Sequence, residues 1–195
     1  MKFITGVVVG VLLVILVPAA MILTGNFSMS ATSKPTSMEE KAGTWAWLQS
    51  AKKNAPKVKN PSMNDASTLD EGLDHYKENC VVCHGAPGVQ SSEIGKGLNP
   101  PAPVLDTPVV QNLSDGELFW TIKNGIRMSG MPAFGPTHSD EELWHIVSFV
   151  RHLPQLTDKE KAELRAVTEE EEHHHDGDEE TEHSKPHTHQ HEPAH

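Results

Sequence analysis

Residues 79–85 read Asn79-Cys80-Val81-Val82-Cys83-His84-Gly85, and they hold the only two cysteines in a chain of 195 residues. Two thiols two residues apart, with an imidazole directly after, have three ordinary readings: a redox dithiol, half of a zinc site, or the attachment point of a c-type haem. A thioredoxin-like dithiol belongs beside a β-α-β pattern, and no run of alternating apolar residues argues for a sheet anywhere in this chain. A tetrahedral zinc site needs a fourth ligand; His75 and His138 are the candidates, and neither stands at a usual spacing. In the haem reading the cysteines bond two vinyl groups and His84 ligates iron, and one and a half helical turns bring all three to one edge of the cofactor.

Working outward, capping boxes predict where helices start: Thr68-Leu69-Asp70-Glu71, Ser114-Asp115-Gly116-Glu117, Ser139-Asp140-Glu141-Glu142 and Thr157-Asp158-Lys159-Glu160 each pair a hydroxyl with a carboxylate three residues on. In the first segment Leu69, Leu73, Tyr76 and Cys80 share a face, so the helix delivers Cys80 to the buried side. In the third, Leu143, Ile146, Val147 and Val150 form the matching stripe. Between them GAPGVQSSEIGKGLNPPAPVL is too rich in Gly and Pro for regular structure. The fold class is all-α, with one small domain over residues 66–155.

A second iron ligand is sought downstream, and KNGIRMSGMPAF offers Met131 between Gly130 and Pro132. A thioether is a soft, neutral ligand that favours reduced iron and suits electron transfer. Gly130 allows the backbone to approach a flat macrocycle, and Pro132 fixes the chain direction. Met128 is the rival and is read as a wall residue; core filling is the bland role for either.

Residues 3–23 carry no charge and would span roughly 31 Å as a helix at ~1.5 Å per residue, the thickness of a bilayer's hydrocarbon core. The run exceeds the ~7–15 residue core of a signal peptide, so residues 1–24 read as a retained transmembrane anchor, a cleaved leader being the alternative. Gly6 and Gly10 form a GxxxG that pairs membrane helices in other settings. Residues 25–65 read as a tether containing a short helix with Trp45, Trp47 and Leu48 among lysines, placed either at the membrane interface or against the following domain.

Net charge is −11, yet ten of the 27 acidic residues fall after Thr168, and the remaining body is near neutral. No basic patch marks a nucleic-acid partner. Residues 156–195 read as a charged helix passing into a disordered His/Glu-rich tail. Its His173, His174, His175, His183, His187, His189, His191 and His195 are candidate weak ligands for divalent metal ions.

NCVVCHG, GKGLNPPAPVL, LSDGELFWTIKNGIRMSGMPAFG and SDEELWHIVSFVRHLP together resemble a class I mono-haem cytochrome c domain, and residues 1–156 are similar to bacterial membrane-anchored c-type cytochromes. The resemblance implies one covalent haem c on Cys80 and Cys83, with His84 and Met131 as iron ligands, wrapped by helices of which the first and last cross near Gly72, Tyr76 and Trp144. It implies that a carbonyl within residues 100–103 accepts the His84 Nδ1 proton, with Pro100 and Pro101 the two candidates. It further implies a single-pass protein of the bacterial cytoplasmic membrane with its haem domain on the periplasmic (outer) side. There it acts as an electron carrier rather than an enzyme, between a redox protein donor and an acceptor. Lys96, Lys123 and Arg127 are candidates for steering an acidic partner. Two other functions stay open: a haem peroxidase or sensor with an open iron site, and a metal-buffering protein acting through its tail, which the resemblance does not explain.

Overall fold

A computed structural model describes residues 2–62 and 66–178. The chain divides into two packed units, the first ending at Lys34 and the second beginning at Pro35. The first unit is helix α1, Lys2–Leu23, none of whose residues is buried. Its mean hydropathy of 2.9 and length of 22 residues suffice to cross a membrane.

Helices α2 (Ser37–Asn54), α3 (Ala66–Asn79), α4 (Val81–His84), α5 (Glu93–Lys96), α6 (Pro108–Gln111), α7 (Asp115–Asn124), α8 (Asp140–His152) and α9 (Asp158–Asp178) build the second unit, and a 3-10 turn, Leu153–Gln155, separates the last two. No strand occurs among the described residues, so the all-α expectation holds. The crossing of α3 and α8 is the frame. A Cβ at Gly72 would lie 2.4 Å from the His145 carbonyl oxygen and 2.9 Å from Phe149 Cβ, so only glycine lets the two backbones come this close. One turn on, the Tyr76 and Phe149 rings meet at 5.2 Å. Trp144, expected near the same crossing, stacks on Phe119 of α7 at 4.2 Å. The predicted α8 stripe of Leu143, Ile146, Val147 and Val150 is buried as a block.

The boxes at Ser114, Ser139 and Thr157 close as predicted. Thr68–Glu71 does not start a helix. The helix α3 begins at Ala66, Thr68 is buried within its first turn, and Glu71 turns instead to His145 Nδ1, 2.8 Å away. A box at Thr36 and Glu39 starts α2. The Gly/Pro-rich loop also holds the single helical turn α5, capped by Ser92.

The packed unit is wider than residues 66–155. The helix α2 lies on α7, where Ala51 is fully buried and Trp47 Nε1 donates to Thr121 Oγ1 at 3.2 Å. Asn60 is buried, its Nδ2 donating to the Trp144 carbonyl and to Ser148 Oγ while its backbone N–H reaches Asp115 Oδ2. Asp115 in turn holds Arg151, whose guanidinium also donates to the carbonyls of Gln111 and Leu113. Residues 35–62 are thus part of the domain, not free tether. At the other end α9 buries Leu164 completely and packs on α3 and α4, with Arg165 Nη2 reaching the Gly88 carbonyl. The helix runs to Asp178, into the stretch expected to be tail.

Candidate haem site

Cys80 sits where α3 gives way to α4. Its N–H donates to the Tyr76 carbonyl at 3.0 Å, and its own carbonyl accepts from Cys83 and His84. That turn brings Cys80, Cys83 and His84 together on one short segment, and everything around the segment restrains it. Tyr76 Oη donates to the Gly85 carbonyl at 2.7 Å from inside the core. Ser92 donates to the Val82 carbonyl through both its N–H and its hydroxyl. Gly95 lies against the far side, where a Cβ would come within 2.6 Å of the Val82 carbonyl and 2.9 Å of that of Cys83.

Burial pushes the Cys80 thiol up to about 12, with Cys83 adding to the effect, the opposite direction from the lowered thiol of a reactive dithiol. Among the described residues no group of three or more His, Cys, Asp or Glu side chains is disposed to hold a metal ion. His75 and His138, the candidate zinc ligands, face each other edge-on with centroids 5.3 Å apart. The haem reading asks for two neighbouring thiols and an imidazole with one nitrogen committed, and Cys80, Cys83 and His84 offer these on one short segment. His84 Nδ1 lies 2.8 Å from the Pro103 carbonyl oxygen, so in the tautomer that donates there Nε2 carries the lone pair. The acceptor falls within residues 100–103 but is neither Pro100 nor Pro101, because an aperiodic proline loop gives no register to count along. Burial lowers the His84 pKa, and the hydrogen bond to Pro103 partly offsets it.

Met131 stands on the loop after α7, half-buried against the same core. Its N–H donates to Ser129 Oγ, Ser129 Oγ donates to the Ile126 carbonyl, and the Met131 carbonyl accepts from the Ile126 N–H. Leu98 links this loop to the motif. Its N–H donates to the Gly95 carbonyl, and its Cδ2 would lie 2.5 Å from a Cβ at Gly130. Gly130 therefore makes room for the Leu98 side chain. Met128, expected as a wall, is 85% exposed at a φ of 60°. Lys123 does not stand free for a partner: its Nζ is 2.6 Å from Asp140 and lies over the Phe119 ring. The tail histidines from His183 to His195 lie outside the described residues, and His173, His174 and His175 enter only as backbone of α9.

Tyr76, Ser92, Leu98 and Pro103 are the supporting residues that motif spacing does not reveal. Tyr76 alone had a signal, its place on the Cys80 face of α3.

Residues 67–150 match the family model described as cytochrome C oxidase, cbb3-type, subunit III. No curated protein matches the chain. Among solved structures it is similar to cytochrome CL from the marine methylotrophic bacterium Methylophaga aminisulfidivorans MPT, at 22% identity over 69% of this chain and 83% of that one. The TM-score is 0.37, too low for any geometric argument to rest on it.

Proposed function

We propose that this chain, whose residues 67–150 match a c-type cytochrome family model, is a membrane-tethered carrier of single electrons whose haem is bonded to Cys80 and Cys83 and ligated by His84 and Met131. The observation that carries the ligand assignment is the His84 Nδ1 contact with the Pro103 carbonyl, which leaves Nε2 available to a metal. That carbonyl also enriches the imidazole as a donor. Haem, when bound, would supply a one-electron iron couple, held by His84 and Met131, and a neutral thioether ligand would raise its potential.

What the chain itself does is restrain. Tyr76, Ser92 and Gly95 fix α4, so the imidazole keeps its orientation whichever oxidation state the site holds. The Ser129–Ile126–Met131 hydrogen bonds do the same for the thioether loop. Restraint of both candidate ligands suits a carrier, in which neither has to leave the iron, better than an enzyme that needs an open coordination position. The helix α1 serves as the anchor, and the domain lies on the periplasmic side of the bacterial cytoplasmic membrane between a redox protein donor and acceptor.

The experiment is a potentiometric titration of the haem-loaded full chain, repeated with carbon monoxide. A single one-electron wave and a reduced spectrum indifferent to carbon monoxide are expected. Ready carbon monoxide binding would overturn the carrier and leave a peroxidase or gas sensor.

A further inference from the structure

The helix α2 has two unlike faces. Trp47 and Ala51 turn inward onto α7. Outward, Met38, Lys41, Ala42, Trp45, Gln49 and Lys52 follow the three-and-four spacing of one helix face, with Lys53 beside them. All seven are exposed, Met38 at 79% and Trp45 at 66%, and a shallow depression runs past Met38, Lys41, Ala42 and Trp45. No carboxylate shares the face: Glu39 is a quarter-turn away and tied to Thr36, and Glu40 points to the opposite side.

A large indole and a thioether held in water, rimmed only by lysines, match the boundary between acyl chains and anionic headgroups. The chain supplies that surface nearby. Only residues 24–36 separate the end of α1 from the start of α2. Thirteen residues reach at most about 45 Å when extended, and average roughly 20 Å as a flexible linker. The α2 face is therefore confined close to whatever membrane α1 enters, where even weak affinity is amplified by local concentration.

We propose that the outer face of α2 docks on the anionic bilayer surface, with Trp45 and Met38 at the headgroup–acyl boundary and Lys41, Lys52 and Lys53 on lipid phosphates. This rests on α1 being a retained anchor. Docking through α2, which is packed on α7, holds the domain in one orientation and restricts which of its faces a partner meets.

The test places the photo-crosslinker p-benzoyl-phenylalanine at Trp45, and separately at the exposed Val109 of α6, in haem-loaded full chain reconstituted in phosphatidylcholine–phosphatidylglycerol vesicles. Absorption spectra confirm that each variant is folded, an alkaline wash reports on the anchor, and lipid adducts are read by mass. Expected are retention through the wash, adducts at 45 several-fold above those at 109, and a comparable loss of adducts with K41Q/K52Q/K53Q or in vesicles of phosphatidylcholine alone. Retention with no excess at position 45 would overturn the docking and leave the anchor standing. Loss of the chain in the wash would overturn the anchor and the docking with it.

Discussion

At the scale of single residues the account turns on what holds Cys80-Val81-Val82-Cys83-His84 rigid. The Tyr76 hydroxyl is buried, and burial drives its pKa well above the ordinary phenol value, so it stays a donor to the Gly85 carbonyl at any pH the fold survives. Tyr76→Phe strands that carbonyl in the core, and a loss of about 1–3 kcal/mol is expected in denaturant unfolding monitored by far-ultraviolet circular dichroism. Gly95→Ala is expected to act locally. Its methyl has no room beside the Val82 and Cys83 carbonyls, so α4 must shift, and the yield of covalently loaded protein on haem-stained denaturing gels should fall more than global stability does. Cys80, Cys83, His84 and Met131 stand out in the sequence as candidates by type and spacing, because covalent and metal chemistry tolerates few substitutes. The Pro103 carbonyl does not, since any residue offers the same oxygen and only the path of the loop selects one.

At the scale of elements, the α3–α8 crossing and the α9 buttress carry the load. Leu164 of α9 is fully buried, and Leu164→Ala should cost about 2–5 kcal/mol, read from the shift in urea midpoint at unchanged slope. The caps make a separate, pH-dependent contribution. The Ser139 N–H and hydroxyl hold the Glu142 carboxyl below its ordinary value of 4.5. For Glu160, burial acts upward but is outweighed by the Thr157 hydroxyl and N–H and by His152. Both carboxyls are lowered in the folded state, so their stabilisation is complete above pH 4.5 and is lost as pH falls below it. Differential scanning calorimetry should show the wild-type midpoint dropping more steeply below pH 4.5 than that of Glu142→Gln/Glu160→Gln. Helix starts at Ser114, Ser139 and Thr157 were readable from the hydroxyl-to-carboxylate signature, the last even though Glu160 also meets His152. Thr68–Glu71 misled because α3 already runs from Ala66, which leaves Thr68 buried inside its first turn rather than at a cap.

At the scale of the whole molecule, the domain is larger than its motif. Trp47, Ala51 and Asn60 lock residues 35–62 onto α7 and α8, so a chain beginning at Ala66 should be less stable than one beginning at Pro35 by on the order of 3 kcal/mol, measured by thermal melting of the two soluble forms. The sequence left open whether the helix of this segment packs on the domain or lies at the membrane interface, because the segment's contacts come from single residues such as Trp47, Ala51 and Asn60 rather than from an apolar stripe. The all-α class was legible from helix stripes and the absence of alternation, whereas the extent of the unit depended on contacts between residues more than fifty positions apart. In the proposed carrier this frame would present the His84 imidazole and the Met131 thioether to one haem iron. The most direct measurement is the oxidised and reduced absorption spectrum of haem-loaded full chain, compared with Met131→Ala and Met128→Ala. The account predicts a low-spin spectrum with a methionine–iron charge-transfer band that Met131→Ala abolishes and Met128→Ala leaves intact; a high-spin spectrum unchanged by Met131→Ala would contradict it.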